Sequence, residues 1–349
     1  MRLWVIFNGP GFINAMQNKK YKRGLIVGKF YPFHKGHRYL IEFALKRVNC
    51  LTVIVCQTER YKIPAHIRAN WIKEIFPQIE VKILEHDPSL DSTSTRISKK
   101  WAELTINFLG YNPNVVFSSE KYGEAYAKYM GSQHIMVDNK RKTVSVSATK
   151  IRKNLSKYWD FLENPAKAYF AKRIVILGAE STGTTTLAQN LAKHYKTTWV
   201  PEYGRIYYEG KMYSQNPTTW KTTEFLHIAN IQNKMEEILA EQCSQLLICD
   251  TDSLATTIWH QRYIGHKAKE LDKLVNTDHY SLYILTGTDI PFKQDGTRDG
   301  EHLREWMHQL FVNELRKRKL KFIIVKGNKK ERLSQAIKEI DKISINKSF

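Results

Sequence analysis

Histidine, lysine and glycine are packed closely in Gly28-Lys29-Phe30-Tyr31-Pro32-Phe33-His34-Lys35-Gly36-His37. His34 and His37 flank Gly36, so both imidazoles can turn toward one phosphate while the small residue between them lets it come close. Lys29 adds a mobile positive charge at the same mouth. An apolar run, Gly24 to Val27, precedes the stretch, and a helical pattern (Tyr39, Leu40, Phe43, Ala44, Val48) follows it. Strand, turn and helix start together describe an anion site, because a helix N-terminus offers unpaired amides and the positive end of the dipole. The plain alternative is a turn carrying two solvated histidines.

A second phosphate site is written in Gly178-Ala179-Glu180-Ser181-Thr182-Gly183-Thr184-Thr185. It lies between the apolar run Ile174 to Leu177 and a helix from Leu187 to His194. The spacing is that of a P-loop, with backbone amides as the phosphate nest and the Thr185 hydroxyl placed for Mg²⁺. The usual lysine is absent, and Thr184 stands in its place. Arg205, Lys293 and Arg298 are the candidate cations to replace it. Leu246 to Asp250 is an apolar strand ending in an acid, suited to hold Mg²⁺ through water, and Asp252 follows. Glu202 and Asp252 share the candidacy for a base that takes the proton of a substrate hydroxyl. The glycine-rich, charged stretch from Thr286 to Gly300 suits a lid, with Arg298 as its transition-state cation.

The elements that position these groups alternate. In the first half, strand candidates at 24–27, 51–56, 81–84, 115–117 and 134–137 are separated by helical patterns, among them Pro64 to Pro77, Ser92 to Leu109 and Tyr122 to Met130. Short apolar strands between helices imply a parallel sheet covered on both faces, with ligands at the carboxyl ends of its strands. In the second half, strands at 281–285 and 322–325 and helices from Glu301 and Glu331 complete a similar domain. The expected division is an extension at 1–21, one domain at 22–165 and another at 171–349, joined by a packed aromatic seam around Trp159, Phe161, Tyr169 and Phe170. Trp71 could stack on a flat cation but reads better as core, and Asp138 could hold a ribose hydroxyl.

Near the end of the first domain, Ser147 can cap a helix that carries Thr149 and Arg152. A histidine pair after the first strand and this Ser-x-Thr-x-x-Arg resemble the paired signature of the nucleotidyltransferase superfamily. With Val116-Phe117-Ser118-Ser119-Glu120, they resemble the nicotinamide-mononucleotide (NMN) adenylyltransferase domain of the NadR-type bifunctional enzymes. The resemblance implies that the NMN phosphate attacks the α-phosphate of ATP, giving NAD and pyrophosphate. His34, His37, Lys29 and Arg152 would neutralise the charge, and Gly28, Phe30, Tyr31, Ser147 and Thr149 would contact nucleotide. No protein base is needed, because the attacking phosphate is already ionised. The second half resembles the ribosylnicotinamide kinase domain of the same enzymes, through its P-loop, Glu202-Tyr203-Gly204-Arg205, Asp250-Thr251-Asp252 and Asp295-Gly296-x-Arg298. That resemblance implies phosphorylation of nicotinamide riboside by ATP with Mg²⁺. Gly178, Glu180, Ser181, Thr182, Gly183, Thr184, Thr185, Thr186 and Arg205 would bind nucleotide, and Thr185 and Asp250 the metal.

The whole chain has 349 residues, 42% hydrophobic and 26% charged, enough for two cores of an ordinary globular kind. Its net charge of +21 suits anionic substrates, though much of it, as in Arg316-Lys317-Arg318-Lys319, fits a solvated helix face. Four cysteines without metal spacing imply neither a zinc site nor a disulfide framework and fit a reducing cytoplasm. No segment is long enough to span a bilayer. Some NadR-type enzymes carry a helix-turn-helix domain; the residues before Tyr21 are too few for one, so no operator binding is expected. Oligomers are compatible with the sequence. Two other readings compete: a fused transferase and kinase of coenzyme A or flavin synthesis, and a nucleotide sensor with an inactive kinase half.

Overall fold

A computed structural model of the chain describes residues 19–343 apart from 93, 297 and 299. Most of the expected N-terminal extension lies outside the described residues. The chain forms two compact units, one ending at Ile151 and one beginning at Arg152.

The first unit runs β1 (Tyr21–Gly28), α1 (Lys35–Leu45), β2 (Val48–Gln57), α2 (Ala65–Ile75), β3 (Glu80–Glu85), α3 (Thr95–Leu109), β4 (Val115–Ser118), α4 (Tyr122–Tyr129), β5 (Gln133–Met136) and α5 (Ala148–Lys153), the last crossing the boundary. All its strand pairs are parallel, in the order β3-β2-β1-β4-β5. Burial explains the strands: Leu25, Ile26, Val53, Ile54 and Val55 are almost wholly inaccessible, as both-face coverage of a parallel sheet requires. Helix α3 begins later than its sequence pattern suggests, at Thr95, because the Ser94 hydroxyl accepts from the Ile97 amide and caps it there. Trp71 is buried in the core.

The second unit contains α6 (Asn164–Phe170), β6 (Lys172–Leu177), α7 (Thr184–Tyr195), β7 (Trp199–Val200), α8 (Tyr203–Lys211), α9 (Thr222–Ala240), β8 (Leu246–Asp250), α10 (Ser253–Ile264), α11 (Lys269–Asp272), β9 (Tyr280–Thr286), α12 (Arg304–Lys317), β10 (Phe322–Val325) and α13 (Lys329–Ile340). Its sheet is parallel throughout, in the order β10-β9-β6-β8-β7. The boundary falls earlier than the sequence suggested, since residues 152–170 pack as part of this unit. Trp159 is buried and its indole donates to the Cys243 carbonyl, while Ser156 and Gln245 exchange two hydrogen bonds. Trp159 and Phe170 of the aromatic seam are thus core of the second unit, while Tyr169 is exposed.

Candidate functional site

In the first unit the loop between β1 and α1 crosses the strand ends where the sheet order turns, between β2 and β4. His34 caps α1: its Nδ1 accepts from the Gly36 amide at 3.0 Å, which leaves the ring proton on Nε2 in the neutral imidazole. The His34 and His37 rings stack with centroids 3.7 Å apart. Phe33 lies parallel to His37, and Phe30 meets it edge-on at 4.9 Å. A Cβ on Gly36 would sit 2.9 Å from the His34 ring, so any side chain there would push the imidazole aside. His37 Nδ1 is buried without a hydrogen-bond partner. Burial, and then the nearby His34 and Arg141, hold its pKa well below that of a free imidazole. His37 is therefore a neutral donor until an anion arrives, not the resident cation that the sequence suggested. Phe30 is buried and takes φ +47°, a left-handed conformation that costs a non-glycine residue about 1–3 kcal/mol, and its ring forms a wall behind the histidines.

Lys29 is the charged member. Its Nζ lies 2.8 Å from Asp91 and 5.2 Å over the Tyr61 ring; burial opposes its charge, but these two partners outweigh it and raise the pKa. Behind it, fully buried Arg68 donates to the carbonyls of Lys29, Cys56 and Ile63, fastening the ends of β1 and β2 together. Asp91, Tyr61 and Arg68 were missed from sequence, because separate elements deliver them and no local spacing marks them. Asp138 is corrected: its carboxylate accepts from the amides of Lys142, Thr143 and Val144, pinning its own loop, and is not offered to a ribose. That loop brings Arg141 beside His37 and Val144 beside Gly36. The Ser147 hydroxyl accepts from the Lys150 amide and caps α5, on which Thr149 and Arg152 stand one turn apart.

In the second unit the P-loop joins central strand β6 to α7. Gly183, at φ +83°, makes the left-handed turn into the helix, and Ser181 shares that conformation at +58°. Thr182 faces inward, donating to the Ala179 carbonyl and accepting from Thr286, so its side chain braces the loop and is not presented to a ligand. Glu180 accepts from Arg262 and from the Gly300 amide, both at 2.8 Å. Beyond the loop lies a cavity of about 350 Å³, lined by Gly178, Thr184, Thr185 and Thr186 at one end and by an aromatic group at the other. Trp220 is central to that group, 5.7 Å from Tyr208, 5.2 Å from Tyr263 and 4.9 Å from Phe225.

Glu202 and Asp250 also line the cavity. Burial, then the charge of Asp250, pushes the Glu202 carboxyl up to about 8. Burial also raises Asp250, to about 6, against the hydroxyls of Thr185 and Thr184 that donate to it. Asp250 Oδ2 is buried without a donor. A carboxylate oxygen left open beside a threonine hydroxyl fits a hard divalent cation such as Mg²⁺. Asp252 does not reach the cavity: it is fully buried, capping α10 through the Ala255 amide and accepting from the Tyr283 hydroxyl. The base role therefore falls away from Asp252. Arg205 and Arg298 both line the cavity, whereas Lys293 meets the P-loop through its backbone amide, which donates to Ser181.

Comparison with known proteins supplies relatives of both units. Residues 173–332 match the AAA domain family and residues 23–98 the citrate lyase ligase C-terminal domain family. The chain is 27% identical over 328 residues to the trifunctional NAD biosynthesis/regulator protein NadR of Escherichia coli, spanning 86% of this chain and 78% of that one. The protein of the same description from Salmonella typhimurium is 26% identical. Among solved structures, NadR in complex with NR superposes with a TM-score of 0.71 at 21% identity, covering 92% of this chain and 96% of that one. NadR in complex with NAD and AMP-PNP gives 0.68 at 20% identity over the same shares of the two chains. The two parallel-sheet units are a nucleotidyltransferase-like domain and a P-loop kinase-like domain.

Proposed function

Since the chain is homologous to the NadR proteins along most of its length, we propose that it performs two consecutive steps of NAD biosynthesis, nicotinamide riboside to NMN and NMN to NAD. The observation that carries this reading is the second unit's cavity, which joins a P-loop to an aromatic cage. The triphosphate of ATP suits the first end. A flat pyridinium ring suits the second by stacking on Tyr208, Trp220 and Tyr263. With Lys211 4.5 Å over Trp220 and Arg262 4.8 Å over Tyr263, stacking rather than charge carries the fit. In the kinase step the ribose 5′-oxygen attacks the γ-phosphorus, the bond to the β-phosphate oxygen breaks, ADP leaves, and the hydroxyl proton passes to Glu202. Thr185 and Asp250 would hold Mg²⁺, which when bound shields the charge between the β- and γ-phosphates.

In the transferase step an NMN phosphate oxygen attacks the α-phosphorus of ATP and pyrophosphate leaves. The histidine pair donates to the phosphates, and Lys29, Arg141 and Arg152 offset the growing negative charge. No cluster of three or more histidines, cysteines or acids for a protein-held metal occurs among the described residues. Nor is any helix among them long and apolar enough to cross a membrane.

A coupled assay tests the reading: incubate the purified chain with ATP, Mg²⁺ and nicotinamide riboside, and follow ADP, NMN, NAD and pyrophosphate. All four are expected, NMN before NAD. Turnover of phosphopantetheine or FMN with ATP, and none of NMN, would refute it. Thr184 favours one rival, a sensor that binds nucleotide, and binding without ADP release would establish that rival.

A further inference from the structure

The kinase-like cavity lacks the P-loop lysine, and the side chain at that position is turned to another use: the Thr184 hydroxyl donates to Asp250. A triphosphate bound there still needs a cation beside its outer phosphates. Two guanidinium groups converge on one point at the cavity wall. Arg205 Nη2, from α8, lies 2.9 Å from Asp295 Oδ2, and Arg298 Nη2 lies 3.1 Å from the same oxygen. One carboxylate oxygen gripped by two guanidinium groups is the arrangement a phosphate oxygen adopts between paired arginines. Arg298 also reaches the P-loop, with Nη1 3.3 Å from Ser181 Oγ, so the pair is anchored to the loop whose lysine is missing. Arg262 is committed to Glu180, and Arg332 donates to the Thr182 and Gly287 carbonyls and to Asp289.

We propose that Arg205 and Arg298 together replace the P-loop lysine, and that the Asp295 oxygen marks where an oxygen of the ATP γ-phosphate is gripped. The assignment rests on the ATP-binding half of the functional reading and not on the identity of the acceptor. ATP entering the cavity exchanges a carboxylate for a phosphate between the two arginines. The charge that other P-loops carry on their own helix is here brought from α8 and from the loop before α12.

The test is a rescue. AMP-PNP with Mg²⁺ is titrated calorimetrically into the unaltered chain, Arg205→Ala/Arg298→Ala, and the same double variant carrying Thr184→Lys. The isotherms are fitted to two sites with the first unit's site as the unchanged reference, and thermal melting is the check on folding. The double variant is expected to lose roughly a hundredfold in affinity, and Thr184→Lys to recover at least about tenfold of it. The conservative Arg205→Lys/Arg298→Lys variant should keep most of the affinity. Unchanged affinity in a folded double variant overturns the assignment, and so does a deficit that Thr184→Lys leaves untouched. If the double variant does not fold, the conservative variant and Thr184→Lys in the unaltered chain decide it. A gain of tenfold or more from the lysine alone would mean that the site lacks its cation. ADP release from nicotinamide riboside, followed separately in the unaltered chain, judges the kinase reading.

Discussion

Replacing Glu202 by glutamine should separate catalysis from stability, with opposite signs. The carboxyl is pushed up to about 8 by burial and by Asp250 nearby. At pH 7 about one-tenth of it is then ionised, and only that fraction can accept a proton. Kinase kcat/KM for nicotinamide riboside should rise about tenfold per pH unit from pH 6 and level off near 8, or lower to the extent that a bound cation neutralises Asp250. Glu202→Gln should reduce it by about a hundredfold or more and abolish the rise. Stability runs the other way. A raised carboxyl pKa means that the folded state holds a proton the unfolded state has released, so stability falls as pH increases from the unfolded value to the folded one. A shift of this size sets on the order of a few kcal/mol against the ionised form. The glutamine variant should therefore melt several degrees higher at pH 8, taking about 2–4 °C per kcal/mol, and no higher at pH 4. A flat kcat/KM profile between pH 6 and 8, or a variant retaining full turnover, would refute the assignment of the base.

Three further changes probe the two units apart. His37→Ala should lower NAD formation from NMN by at least about a hundredfold while ADP release from nicotinamide riboside continues. Asp250→Ala should do the reverse, and loss of both activities in a folded variant of either kind would deny the two-site division. Trp220→Ala removes the centre of the aromatic cage and should raise KM for nicotinamide riboside about tenfold, leaving KM for ATP nearly unchanged. Asp138→Ala frees three backbone amides that are mostly open to water and should destabilise the first unit by about 0.5–1.5 kcal/mol, read as a lower melting midpoint; an unchanged midpoint would show the pinned loop to be incidental.

How much of this was legible in the residue order depended on how locally each function is encoded. Both candidate phosphate sites are turns between a strand and a helix, so glycine spacing and flanking apolar runs mark Gly36, Gly183 and the sheets around them. Glu202 and Asp250 line the cavity where strand ends, pointing at the mouth of a parallel sheet, were expected to put them. Asp252 misled because an acid after a strand caps a helix as readily as it serves a ligand, and only the Tyr283 hydroxyl on β9 tells the two apart. Asp138 misled for the same reason, its acceptors being used on its own loop. The aromatic cage was invisible: Tyr208, Trp220 and Tyr263 come from α8, the loop before α9, and α10, and α8 holds two glycines that obscure its helical period.

The two sites handle phosphate charge by different means, and the difference follows from where their cations stand. In the first unit Lys29 is held at Asp91 and Tyr61, while His37 is kept neutral by burial beside His34 and Arg141. An arriving phosphate would add negative charge next to that imidazole and favour its protonation, so positive charge grows as the ligand binds. In the second unit the charge is permanent, since guanidinium groups do not titrate near neutrality, and what changes on binding is its partner. The first device should make adenylyl transfer sensitive to pH through the histidine pair. The second should leave ATP binding at the kinase-like site almost independent of pH above the range in which Asp250, pushed up to about 6, and Glu202, pushed up to about 8, lose their protons.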